Sequence, residues 1–343
     1  MKLLIITQKV DINDGVLGFF HGWIKEFAKH CEKITVICLQ KGQCDLPDNV
    51  EVLSLGKEKG FSKIKYIFNF YKYVWRERKN YDSVFVHMNQ EYVLLGGLFW
   101  RIFGKKVMMW RNHCRGSFLT DISSFFCSTI FCTSRYSYTA KYKKTIIMPA
   151  GIDTELFKPK SNSRKNNSIL SLGRISSVKK LETIVKALGI LDKKGLNFSC
   201  NIYGNANDED KEYYFQLKKQ SQEVERKGKI FFYDGVPNHE APNIFNQNQI
   251  FVNATDKGSF DKTIIEAVAC GCLPVVCNDS FKDFFQDVFF FKKDDAFNLA
   301  EKIELIMNLT DKEKEKYQNE LRRFSLLHDL GLLAEKIINE FKK

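Results

Sequence analysis

Residues Asn253 to Val276 read NATDKGSFDKTIIEAVACGCLPVV, and this stretch decides the fold. The apolar run Ile250-Phe251-Val252 just before it reads as a buried strand, and Asp256 to Asp261 is a polar, glycine-bearing loop. Lys262 to Ala269 follows as a helix, with Ile264, Ile265 and Val268 at inward spacing and Glu266 in its middle. Gly271 stops the helix, Pro274 prevents its resumption, and Val275-Val276 opens the next strand. Strand, loop, helix, tight turn and strand form the unit of a parallel α/β sheet. The backbone N–H groups at the start of such a helix can hold a phosphate or sugar hydroxyls. A carboxylate such as Glu266 only accepts hydrogen bonds and suits a pair of vicinal hydroxyls, for example a ribose edge.

The same alternation extends outward in both directions. Upstream, strands are expected at Lys2–Thr7, Lys33–Leu39, Val50–Leu55, Tyr81–Val86, Lys106–Trp110, Ile130–Ser134 and Lys144–Met148, with a helix at Phe19–His30. The loop after the first strand carries Gly15. The fourth and fifth strands end in His87 and in Arg111-Asn112-His113. If the sheet is parallel, His87 and His113 both stand at strand carboxyl ends, where ligands of doubly wound sheets bind. Later strands are expected at Ser168–Leu172, Phe198–Tyr203, Lys229–Tyr233 and Asp287–Phe291, and a last amphipathic helix at Phe324–Phe341. After Gly173, Arg174 and Lys179 share one strand-to-helix turn, where a guanidinium fork and a point charge can neutralise a diphosphate. His239 lies in a polar turn and receives no role.

With 343 residues, 44% of them hydrophobic, the chain has material for two domains with their own cores. A formal charge of +12 favours an anionic partner: a phosphorylated substrate, a membrane surface or nucleic acid. The ten cysteines show no zinc or thioredoxin spacing and read as reduced thiols filling the core. The apolar start is too short for a signal peptide, and the longest apolar run, Tyr92–Phe99, is far short of a membrane span. From Phe61 to Lys79 basic residues alternate with aromatic ones on one long helix. That helix either packs its rings on the sheet and solvates its lysines, or rests on anionic lipid headgroups.

Glu266-Ala267-Val268-Ala269-Cys270-Gly271 followed by Pro274-Val275-Val276 resembles the signature of the family-four retaining glycosyltransferases, the glycosyl transferases of group 1. Gly151-Ile152-Asp153 followed by Phe157 resembles the connection between that family's domains, and Gly173-Arg174…Lys179 resembles its diphosphate site. The resemblance implies the α/β fold called GT-B: two Rossmann-like doubly wound domains facing each other across a cleft, with a C-terminal helix crossing back to the first. It puts an acceptor-side domain at 1–160, a nucleotide-sugar domain at 161–325 with Ser161–Ser168 as linker, and the returning helix at 326–343. It gives His113, Arg174, Lys179 and Glu266 catalytic roles. Donor binding would fall to Gly15, His87, Gly173, Gly204, Gly258, Ser259, Phe260, Asp261, Lys262 and Thr263.

The sequence departs from the family where Gly258 replaces the first of two glutamates eight positions apart, and where Lys180 replaces a usual glycine. Asp256 or, preferably, Asp261 is expected to reach the donor hydroxyls instead. The activity implied is transfer of a hexose from a UDP- or GDP-linked sugar to a glycan or lipid-linked acceptor, with retention. No metal and no cofactor is expected beyond the sugar nucleotide, because fixed cations and helix amides near Lys262-Thr263 would stabilise the departing diphosphate. A cytoplasmic location follows, with peripheral contact to an anionic membrane face. The alternatives are an inactive scaffold or partner subunit of the same fold, a sugar-nucleotide epimerase, and a nucleic-acid binder, for which no reading motif is visible.

Overall fold

The computed structural model describes residues 1–160, 164–256 and 260–343. The chain forms two compact units, one built on Met1–Gly151 and Leu330–Lys343, the other on Ile152–Lys257 and Asp261–Asp329. Each is a parallel-sheet α/β unit of Rossmann type.

In the first unit, β1 (Lys2–Val10), α1 (Gly18–Ala28), β2 (Lys33–Lys41), β3 (Val50–Ser54), α2 (Lys63–Glu77), β4 (Ser83–His87) and α3 (Gln90–Ile102) are followed by β5 (Lys106–Trp110), α4 (Phe118–Phe126), β6 (Thr129–Cys132) and β7 (Thr145–Ile147). The sheet order is β3-β2-β1-β4-β5-β6-β7, and every adjacent pair is parallel. Strands covered on both faces need apolar residues on both, which is why β1 and β4 read as continuous apolar runs. Phe20, Trp23 and Phe27 of α1 cover one face together with Leu333, Ile337 and Phe341. Phe70 and Val74 of α2 and Val93 and Trp100 of α3 cover the other.

The second unit contains β8 (Ser168–Leu172), α5 (Leu181–Lys193), β9 (Ser199–Tyr203), α6 (Lys211–Arg226), β10 (Ile230–Tyr233) and α7 (Ala241–Gln247). It continues with β11 (Ile250–Asn253), α8 (Lys262–Ala269), β12 (Leu273–Val276), α9 (Ala296–Met307) and α10 (Asp311–Leu326). Its order, β10-β9-β8-β11-β12, is again all parallel. Pro274 is tolerated in β12 because that strand lies at the sheet edge. The final helix, α11 (Leu330–Lys342), packs with the first unit, as Leu333, Ile337 and Phe341 show.

Three sequence expectations shift. The units divide at Gly151 rather than near residue 160, because the stretch after Gly151 is bound into the second unit. Ile152 bridges to Asp329, Thr154 Oγ1 donates to Asp329 at 2.6 Å, and Arg322 donates to the Thr154 and Phe157 carbonyls at 2.9 and 2.7 Å. Phe324–Phe341 is two helices, α10 and α11, separated by Leu327–Asp329, where the chain passes between units. Asp287–Phe291 is a single 3-10 turn with one bridge, Val276 to Phe290, instead of a strand; burial of Phe289 and Phe291 explains its apolar sequence. Of the expected linker, Ser161–Ser163 lie outside the described residues, while Arg164 is tied to the Cys270 and Gly271 carbonyls and Ser168 begins β8. Eight of the ten cysteines are buried, and burial pushes thiols such as Cys272 up to about 12.

Candidate functional site

Both sheets reverse their order of growth beside the first strand of their unit, at β1/β4 and at β8/β11. In doubly wound sheets that switch point, at the strands' carboxyl ends, is where a crevice opens. In the second unit the crevice is a recess lined by Gly173, Arg174 and Lys179 after β8, Tyr203 of β9, and Asn253 and Thr255 at the end of β11.

Glycine is required at two of its corners. Gly173 has φ +148°, a region that side chains rarely adopt, and a Cβ there would stand 3.5 Å from Lys179 Cε. A Cβ on Gly204 would lie 1.9 Å from the Gly173 carbonyl oxygen. The ends of β8 and β9 therefore touch backbone to backbone, and the loop can approach a ligand closely. Arg174 is exposed and pairs with no carboxylate among the described residues. Lys180, in the family's glycine position, adopts the left-handed conformation with φ +52°. The departure seen in sequence is thus a strained one, costing about 1–2 kcal/mol.

Asp261 is the centre of the polar network. It caps α8, accepting from the Thr263 N–H at 3.2 Å and from Thr263 Oγ1 at 2.9 Å. Its other oxygen takes Lys179 Nζ at 2.5 Å and Asn253 Nδ2 at 2.9 Å. Burial works to raise its pKa, but the Lys179 ammonium and these hydrogen bonds hold the carboxyl down to about 2. This corrects the expectation for the start of α8. The Thr263 amide, expected to face a donor phosphate, is occupied by the chain's own carboxylate, since aspartate is among the strongest N-caps. Lys179 likewise meets an anion that already belongs to the protein.

One turn further, Glu266 is buried and accepts from Asn238 Nδ2 at 3.0 Å. Lys262 stands at i−4 from it, so the two charges share one helix face. Burial pushes the Glu266 carboxyl up and the Lys262 ammonium down, and each charge opposes the other's shift. Sequence reading missed Asn238, Asn253 and Thr255. Only their positions could have marked them: Asn253 and Thr255 at the end of β11, and Asn238 in the turn before α7. Phe260 is buried, and Gly258 and Ser259 lie outside the described residues.

The first unit distributes its candidates differently. His87, expected at a ligand-facing strand end, is buried: its ring stacks on Phe20 with centroids 3.8 Å apart, and Nδ1 lies 3.2 Å from Thr7 Oγ1. Its side chain points into the α1 layer because β4 alternates and α1 supplies an aromatic cluster there. His113 is exposed. Its Nδ1 lies 3.0 Å from both the backbone N–H and the carbonyl oxygen of Arg115, which hold the ring at the start of the loop after β5. Gly15 is exposed beside Asp14, whose carboxylate takes the Val16 and Leu17 amides at 2.9 and 2.6 Å and Lys9 Nζ at 2.6 Å. Burial opposes ionisation of Asp14, but Lys9 and the two amides keep it below the usual carboxylate range. Here too a carboxylate of the chain fills the amide cradle.

Residues 153–323 match the family model of glycosyl transferases group 1. Among curated proteins, the chain is 23% identical over 177 residues to the UDP-N-acetylglucosamine–peptide N-acetylglucosaminyltransferase GtfA subunit of Streptococcus parasanguinis. That match covers 49% of this chain, which spans about a third of the relative's length (33%). Among solved structures, Anabaena HepE in complex with UDP and glucose superposes with a TM-score of 0.80 at 16% identity, covering 100% of both chains. Sucrose-phosphate synthase from Thermosynechococcus elongatus gives 0.78 at 14% identity over 100% of this chain and 98% of that one. WaaG, a glycosyltransferase of lipopolysaccharide biosynthesis, gives 0.69 at 12% identity over 99% of each. These structures share the GT-B fold with this chain.

Proposed function

We propose, since the chain belongs to the glycosyl transferases group 1 family through residues 153–323, that it moves a hexose from a UDP- or GDP-linked sugar to a hydroxyl of a glycan or lipid-linked acceptor, with retention at the anomeric carbon. The observation that carries this reading is the convergence of Arg174, Lys179 and the close-packed glycine loops on the β8/β11 switch point, with buried Glu266 on the adjoining helix. The anomeric carbon–oxygen bond breaks toward the diphosphate, whose growing charge meets Arg174 and Lys179. Glu266 accepts the ribose hydroxyls, oriented by Asn238. The acceptor oxygen attacks on the face that the diphosphate leaves, and the leaving phosphate takes its proton, so neither a protein nucleophile nor a metal or other cofactor is invoked. His113, exposed at the carboxyl end of β5, is assigned to the donor sugar and acceptor. HepE, solved with UDP and with glucose, and the GtfA subunit, named for UDP-N-acetylglucosamine, both favour UDP over GDP. The reaction is placed in the cytoplasm, beside the membrane.

A second reading has one observation in its favour: Lys179 is already neutralised by Asp261, and Gly258 stands where the family has its first glutamate. A catalytically inactive partner subunit would look the same there. Incubation with UDP-glucose, UDP-galactose, UDP-N-acetylglucosamine and GDP-mannose, with and without an acceptor extract, separates the readings. Acceptor-dependent release of one nucleoside diphosphate, lost in Arg174→Ala, supports transfer. A changed sugar without acceptor indicates an epimerase, and no turnover with retained nucleotide binding indicates the inactive subunit.

A further inference from the structure

The first unit carries an apolar surface that its own core does not use. On α2 only Phe70 and Val74 among the large apolar side chains are buried, while Ile64, Phe68, Tyr71 and Trp75, at the i, i+4, i+7, i+11 spacing of one helical stripe, face outward. Ile64 is 80% exposed and Trp75 54%. The stripe continues sideways. Trp75 packs against Phe99 and Phe103 at the end of α3, where Ile102 is 72% exposed, and Arg101 of α3 lies over the Phe125 ring of α4 at 4.8 Å. The three helices thus share one broad outer face. Beside it, between α2 and α3, an apolar recess of about 380 Å³ lined by Leu39, Leu55, Ile67, Phe70 and Leu95 carries apolar surface inward.

Its charges identify what covers it. Arg78 lies 4.1 Å from the Trp75 ring centroid, Lys65 5.2 Å from that of Phe68, and Lys63, Lys72 and Arg76 are exposed on the same helix. Of the carboxylates on these helices, Glu77 is bound to Arg76 and Asp121 to Lys141, leaving Glu91. Two copies meeting through this face would bring like charges together. An aromatic and aliphatic stripe interleaved with cations matches instead the layered chemistry of a lipid interface: rings at headgroup depth, ammonium and guanidinium groups on phosphates. We propose that α2, α3 and α4 dock the protein on an anionic lipid bilayer, with Ile64, Phe68, Trp75 and Ile102 entering the interface. The inference requires no donor chemistry, so its failure and that of the transferase reading are distinguishable.

The chain supplies its own probe. Of its four tryptophans, Trp23, Trp100 and Trp110 are buried and Trp75 is exposed, so the quenchable part of the intrinsic fluorescence belongs to Trp75. Full-length protein is mixed with vesicles of phosphatidylcholine alone or with phosphatidylglycerol added, at low and high salt, and followed by flotation and by acrylamide quenching. The expected result is binding to the anionic vesicles with a blue shift and protection of Trp75, weakening as salt rises. Lys65→Gln and Lys72→Gln should each cut partitioning about fivefold. Ile64→Ser/Phe68→Ser/Ile102→Ser should cut it at least tenfold with the melting temperature unchanged, because all three side chains are exposed. No flotation at low salt overturns the proposal, as does binding that leaves Trp75 quenchable. A concentration-dependent dimer abolished by the triple substitution would also overturn it, by assigning the face to a second copy.

Discussion

Asp261→Asn isolates the most heavily used interaction of the second unit. The substitution keeps an oxygen to cap α8 and removes the charge that faces Lys179. In the folded protein the carboxyl sits at about 2, against an ordinary 3.8. At about 1.4 kcal/mol for each tenfold change in proton affinity, that difference contributes about 2 kcal/mol of stability at pH 7. Lys179 is 21% exposed, so its ammonium can turn partly to water once the carboxylate is gone, and the loss should not reach the 3–5 kcal/mol of a fully buried broken pair. The sign follows from the depressed pKa. The stabilisation is complete above 3.8 and fades as pH falls through 2, so wild type and variant should converge in acid. All four tryptophans lie in the first unit, so in urea titrations fluorescence follows that unit, and circular dichroism carries the second unit's transition. About 2 kcal/mol of destabilisation in the second transition at pH 7, shrinking toward pH 2 with the fluorescence transition unmoved, is expected. Equal stabilities at pH 7, or a gap that persists in acid, would refute the reasoning.

Three further outcomes follow from the same geometry. Gly204→Ala forces a methyl against the Gly173 carbonyl, 1.9 Å away. It should cost about 1–3 kcal/mol by overpacking, read as a lower midpoint of the second-unit transition, and should weaken nucleotide binding. Lys180→Gly relieves a left-handed backbone at φ +52° and should stabilise by about 1 kcal/mol in the same titration. Glu266→Gln should shrink the preference for UDP over 2′,3′-dideoxy-UDP, measured as a ratio of dissociation constants, by about 1.5–3 kcal/mol.

Much of the architecture was written in local sequence. Buried parallel strands require apolar runs, and Gly271 and Pro274 punctuate helix and strand by backbone chemistry, so the alternation from β1 to β12 was readable. The partnerships within the site were not. Lys179 and Asp261 stand 82 positions apart, and Asn238 and Glu266 28 apart, distances over which periodicity says nothing. The sequence puts His87 at a strand end but does not show that its ring stacks on Phe20, because strand position fixes depth along the sheet but not which aromatic cluster awaits the ring. On α2 the sequence showed aromatic and basic residues together, yet only the packed structure separates buried Phe70 and Val74 from exposed Ile64, Phe68 and Trp75. Asp287–Phe291 misled because phenylalanines bury as well from a turn as from a strand.

The central claim is that the switch point of the second unit holds a nucleoside diphosphate. Calorimetric titration of UDP, GDP and ADP into wild type and Arg174→Ala tests it directly, since Arg174 faces solvent and its loss should leave the fold intact. Saturable binding of UDP or GDP is expected, reduced about tenfold or more in the variant by loss of one charge-assisted contact to the diphosphate. Absence of binding by any nucleotide, or equal affinity in both proteins, would contradict it.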